Sequence, residues 1–101
     1  MTILEDPQGL ETQALFKLVD FNGKKVLEIG CGDGRLTWLY ASQAAQVTGI
    51  DPNAERIARA RQAQVNKVQG KLAFHQLDLE GFATQLPPGE KFDLVLLSWS
   101  L

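Results

Sequence analysis

What the chain has little of narrows its setting. A single cysteine, Cys31, excludes an intrachain disulfide and a multi-cysteine zinc site, and it suits a reducing compartment. The only histidine, His75, stands inside the apolar stretch LAFHQL, where a sheet residue is the expected role rather than a general base. Neither sign of charge dominates. Ten Lys and Arg against twelve Asp and Glu leave a net charge of -2, so no global field draws the protein to nucleic acid or anionic lipid. No apolar run reaches bilayer-spanning length, and MTILEDPQG has neither the positive flank nor the apolar core of a signal peptide. These absences make a cytoplasmic protein without membrane or nucleic-acid partners the expectation.

What is present reads as one α/β domain over residues 1–101, with no repeat or low-complexity tract. Residues 1–9 read as a polar arm. Over residues 10–20, Leu10, Ala14, Leu15 and Leu18 recur at helical spacing. After the turn signal Phe21-Asn22-Gly23, the run Lys24 to Ile29 predicts a first strand. A helix is expected from Asp33 or Gly34 to about Ala44, on the spacing of Leu36, Leu39, Tyr40 and Ala44. Val47 to Ile50 gives a second strand, and Asp51-Pro52-Asn53 starts a second helix whose stripe, Ile57, Arg61, Val65 and Val68, stops at Gly70. Leu72 to Leu77 is a third strand. Pro87-Pro88-Gly89 then breaks the chain before FDLVLLSW, residues 92–99, the most continuous apolar run and a natural central strand of a parallel sheet. Strands alternating with helices imply an open parallel sheet with right-handed crossovers.

The segment VLEIGCGDGRLT, residues 26–37, carries three glycines on alternate positions directly after a strand. Glycine weakens a strand interior, so this turn needs backbone without side chains, and it falls at the carboxyl edge of the sheet, where open α/β folds bind ligands. Asp51, at the end of the second strand and 21 residues after Gly30, is placed to accept hydrogen bonds from both hydroxyls of a ribose. Charge discriminates among nucleoside ligands. The spacing is G-x-G-x-G, with Arg35 where the dinucleotide fingerprint has its third glycine, and Asp33 and Glu28 stand in or beside the turn. Two like charges about 4 Å apart cost up to roughly 4 kcal/mol at an effective dielectric near 20, so a pyrophosphate is disfavoured and a cationic ligand favoured. Cys31, between two glycines, reads as a small filler rather than a nucleophile. Arg56, Arg59 and Lys67 read as a solvated basic helix face, and Trp99 as either a substrate neighbour or a core plug.

These residues resemble the class I S-adenosylmethionine-dependent methyltransferases. EIGCGDG at 28–34 is similar to the family's glycine motif, GIDPNAERIARAR at 49–61 to its second-strand motif, and KFDLVLLSWSL at 91–101 to its fourth-strand motif. The resemblance implies a Rossmann-like sheet in the order 3-2-1-4 with the family's later strands missing, and S-adenosyl-L-methionine as cofactor. It places the methionine moiety against Gly30, Cys31, Gly32 and Gly34, with Glu28 organising that end directly or through water. Asp51 would hold the ribose hydroxyls, Pro52 would join the cofactor-binding set, Asp78 would lie near the adenine amino group with Leu77 and Leu79 beside the ring, and Ser98 would border the methionine amine through its backbone. The implied reaction is methyl transfer to an unidentified acceptor, a small molecule being favoured, and no catalytic residue is assigned. A noncatalytic nucleoside-binding module and an NAD-dependent oxidoreductase domain stand as alternatives. In the 3-2-1-4 order the last strand lies at an edge, so self-association through it is expected.

Overall fold

A computed structural model describes residues 2–6, 19–64 and 71–98, with residues 2–6 and 64 described by their backbone. Five parallel strands form one sheet: β1 (Thr2–Asp6), β2 (Lys25–Ile29), β3 (Gln46–Ile50), β4 (Leu72–His75) and β5 (Leu94–Ser98), in the spatial order β1-β5-β2-β3-β4. The helices are α1 (Thr37–Tyr40), α2 (Ala54–Gln64) and α3 (Leu79–Gln85). The four strands read from the sequence thus stand in the order 3-2-1-4, β2, β4 and β5 a little shorter than expected and β3 one residue longer.

Burial explains why these runs are strands in these places. β2 and β3, rich in Val, Leu and Ile, are buried on both faces as interior strands of a parallel sheet require, whereas β4 alternates buried Leu72 and Phe74 with exposed Ala73 and His75, as an edge strand does. One face carries Val26, Val47, Leu72, Phe74, Leu94 and Leu96 against Tyr40 of α1 and Ile57 and Ala60 of α2. The opposite face carries Leu27, Ile50 and Val95 against Phe82 of α3. Beside α3, the side chains of Leu27, Ile29, Leu86, Phe92, Val95 and Leu97 line an apolar cleft of about 810 Å³. Among the described residues no helix is long and apolar enough to cross a membrane.

Three elements differ from the sequence reading. Residues 1–9 were expected to be a polar arm, yet Thr2–Asp6 form β1, which pairs with β5 in the register Thr2↔Leu94 to Asp6↔Ser98. The expectation that the last strand is an exposed edge is corrected with it, because β5 lies between β1 and β2 and has ladder partners on both sides. The first crossover helix is also far shorter than residues 33–44. Positive φ angles at Gly32 and Gly34 hold the chain in turns through Leu36, and Leu36 as N-cap makes no side-chain cap, leaving one helical turn. Finally, α3 was not expected at all. Its start is marked by Asp78, whose side chain accepts from Gly81 N at 2.7 Å, and its one buried side chain is Phe82. The helix expected over 10–20 and the stripe beyond Gln64 lie outside the described residues, apart from Val19, half-buried against the first core cluster, and exposed Asp20, neither of which is helical.

Candidate functional site

The carboxyl ends of β2, β3 and β5 meet at the glycine turn. Gly30, Gly32 and Gly34 all adopt positive φ, at 79°, 59° and 85°. At Gly30 a second constraint is added: a Cβ there would come within 2.3 Å of the Ser98 carbonyl oxygen, so the end of β5 touches bare main chain. Gly34 is different in kind. A Cβ on it would meet Phe74 and Trp38 at 3.1 Å, so its lack of side chain serves the core beneath the turn.

Asp51 ties the turn to β3. Its Oδ2 accepts from Gly32 N at 3.0 Å and its Oδ1 from Asn53 N at 2.8 Å, which fixes both the glycine turn and the entry to α2. The backbone donors Gly30 N and Cys31 N both reach Ile50 O, at 2.8 and 3.1 Å, closing the same corner. Asp33 accepts from Arg35 N within the turn and does not cap α1.

Glu28 lies beneath the turn with no solvent exposure. Its Oε1 accepts from Thr37 Oγ1 at 2.8 Å and from Tyr40 Oη at 2.6 Å, while Oε2 is buried without a hydrogen-bond partner. Burial pushes this carboxyl up to about 7, against the opposing hydrogen bonds from Tyr40 and Thr37. The Cys31 thiol is likewise pushed up, first by burial and then by Glu28 and Asp51 nearby. Tyr40 is raised by burial and by Glu28.

A cleft of about 430 Å³ opens beside this corner, lined by Ile29, Gly30, Ile50, Asp51, Pro52, Asn53, Arg56, Leu77, Asp78, Leu79 and Ser98. Of the candidate residues, Gly30, Asp51, Pro52, Asp78, Leu79 and Ser98 are brought together on its wall. Glu28, Cys31, Gly32 and Gly34 do not line this cleft. Sequence reasoning missed Thr37, Tyr40 and Asn53, and it assigned Arg56 to a solvated face although Arg56 lines the cleft. Tyr40 stacks on Phe21 at 4.3 Å between ring centroids, so its apolar spacing was legible and its hydroxyl's partner was not. His75 is exposed on β4, apart from the cleft. Lys67 and Trp99 lie outside the described residues.

A nucleoside with a cationic appendage suits this site: apolar lining from Ile29, Ile50, Leu77 and Leu79, the carboxylates of Asp51 and Asp78, and an orphaned buried oxygen on Glu28. Comparisons with known proteins agree. The family described as "Methyltransferase domain" matches residues 26–101. A ubiquinone biosynthesis O-methyltransferase of Pseudomonas fluorescens is 35% identical over 92 residues, covering 91% of this chain and 38% of that enzyme. Among solved structures, magnesium protoporphyrin IX methyltransferase from Synechocystis with bound S-adenosylhomocysteine superposes with a TM-score of 0.63 at 31% identity, over 85% of this chain and 37% of that one. Phosphoethanolamine N-methyltransferase 1 of Haemonchus contortus, in complex with S-adenosylhomocysteine, gives 0.69 at 28% identity, over 88% and 18%. The chain belongs to the class I S-adenosylmethionine-dependent methyltransferase domains, and it spans less than two fifths of the curated relative it matches.

Proposed function

We propose that this chain forms the cofactor-binding part of an enzyme that transfers a methyl group from S-adenosylmethionine to a small-molecule acceptor, with a hydroxyl oxygen as the favoured acceptor atom. The observation that carries the reading is the pair of carboxylates on the cleft wall, Asp51 and Asp78, with Asp33 in the adjoining turn. A pyrophosphate would meet these carboxylates as like charge, whereas a sulfonium and an ammonium meet them as counter-ions. The O-methyltransferase relatives support the acceptor class. A cytoplasmic setting goes with the reading, supported by the free, buried thiol of Cys31.

In this reading Asp51 accepts from the ribose hydroxyls through the lone pairs left beside its bonds to Gly32 N and Asn53 N. Asp78, with Leu77 and Leu79, receives the base, and Gly30 and the end of β5 receive the amino-acid moiety. When bound, the cofactor supplies an electrophilic methyl group on a positively charged sulfur. The protein's own part is alignment and exclusion of water: Ile29, Ile50 and Leu77 dry the cleft floor, and the turn held by Asp51 fixes the distance between the two ends of the ligand.

Calorimetric titration with S-adenosylmethionine, S-adenosylhomocysteine and NAD tests the reading. Binding of the first two and not of NAD is expected. Preference for NAD, or indifference to all three, overturns it.

A further inference from the structure

Three arginines stand on α2, and each has a different use. Arg59 is exposed and pairs with Glu55 at 3.9 Å, one helical turn away. Arg61 donates from Nε and Nη2 to the Phe74 carbonyl oxygen of β4, at 3.2 and 2.9 Å. Arg56 is half-buried and lines the cleft. Its backbone is held from the same corner: Asp51 Oδ1 accepts from Asn53 N at 2.8 Å, and Asn53 Oδ1 accepts from Arg56 N at 3.0 Å, which ties the first turn of α2 to the end of β3. Arg56 is therefore part of the cleft wall and not of the solvated face.

Among the described residues that line the cleft, Arg56 is the one cation, set against the carboxylates of Asp51 and Asp78. A fixed charge on the wall of a partly enclosed cleft acts on a ligand's charge without touching it. S-adenosylmethionine and S-adenosylhomocysteine share their nucleoside and amino-acid moieties, and they differ by one methyl group and one positive charge on sulfur. A guanidinium in the wall bears on that difference. We propose, resting on the cofactor reading above, that Arg56 is a specificity-determining residue: its charge offsets one of the two cleft carboxylates, loosens the hold on the sulfonium donor and leaves the neutral thioether product untouched. The site then retains product in competition with donor, and turnover slows as the thioether accumulates.

The test measures Kd for S-adenosylmethionine and S-adenosylhomocysteine by calorimetry on the chain, on Arg56→Gln and on Arg56→Lys, at about 0.02 M and about 0.5 M salt. At the lower salt Arg56→Gln should tighten S-adenosylmethionine relative to S-adenosylhomocysteine by roughly three- to tenfold, the size of one charge acting across a solvated cleft. Arg56→Lys keeps the charge and should keep the parent's ratio. At the higher salt the gap between parent and Arg56→Gln should shrink to less than about twofold. A ratio unchanged in Arg56→Gln, a changed ratio that ignores salt, or an Arg56→Lys ratio that follows Arg56→Gln overturns the proposal and leaves the cofactor reading standing. Equal loss of both ligands in Arg56→Gln does the same, because Arg56 then acts on the nucleoside the two share. Failure of both ligands to bind the unaltered chain overturns the cofactor reading and the proposal with it.

Discussion

The main-chain N–H of Gly32 donates to Oδ2 of Asp51 at 3.0 Å, joining the turn after β2 to the end of β3 across 19 positions of sequence. With the Asn53 N–H on its other oxygen, this carboxylate is a hinge pin as well as the ligand group of the proposed reading. Asp51→Ala therefore has two expected effects. Stability should fall by about 1 to 3 kcal/mol because two N–H donors lose a charged acceptor, and S-adenosylhomocysteine affinity should fall by a comparable amount. Urea unfolding and calorimetry on the same variant separate them. Unchanged affinity in a folded variant removes Asp51 from the ribose.

Gly30 and Gly23 make a matched pair. Both have positive φ, but a Cβ at Gly30 runs into the Ser98 carbonyl whereas one at Gly23 meets nothing within 4 Å. Gly23→Ala should cost about 1 kcal/mol, the penalty of the left-handed conformation alone. Gly30→Ala should cost at least about 3 kcal/mol, because backbone must move as well. Equal unfolding midpoints for the two variants would show that β5 yields freely at this contact.

The raised Glu28 carboxyl has a defined sign in stability. Between its ordinary value of 4.5 and about 7, the folded chain holds a proton that the unfolded chain has released. This group's contribution therefore favours the fold at low pH and is lost as pH rises through that window, by up to about 3 kcal/mol. Glu28→Gln has no such loss. The variant should gain on the parent between pH 5 and pH 8, read as a growing difference in urea midpoint, and a constant difference would place the carboxyl's titration elsewhere.

Pairing of β1 with β5 gives the sheet its outer strand on that side. The full chain should sediment as a monomer at concentrations where a variant lacking residues 1–6 self-associates, since removal bares the apolar strand LVLLS. If the shortened chain is equally monomeric, β1 is dispensable as edge protection.

The parts of this molecule that were legible in the sequence are those in which one residue answers to one local rule. β2, β3 and β5 are continuous apolar runs, the glycine turn announces itself by spacing, and Asp51 and Asp78 stand where strands end. α1 was overread because Leu36, Leu39, Tyr40 and Ala44 keep helical spacing in a segment whose glycines force turns. β1 was missed because its stability comes from a partner 92 positions away, which no local pattern in TILED reports. Tyr40 and Thr37 were missed as site residues for the same reason: their hydroxyls are explained only by Glu28, on a different element.

The place of β5 between β1 and β2 also orders assembly in time. β2, β3 and β4 can pair as soon as residue 75 has been synthesised, since each of their ladders closes between neighbours in chain order. β1, although made first, has no ladder until residues 94–98 exist, and the two strands that β5 joins are separated by the whole of its own delay. Closing such a long loop comes late because its entropy is spent before the ladder rewards it. Of the five strands, the first to be made is thus among the last to join the sheet, and during that interval a chaperone or a neighbouring nascent chain has access to it.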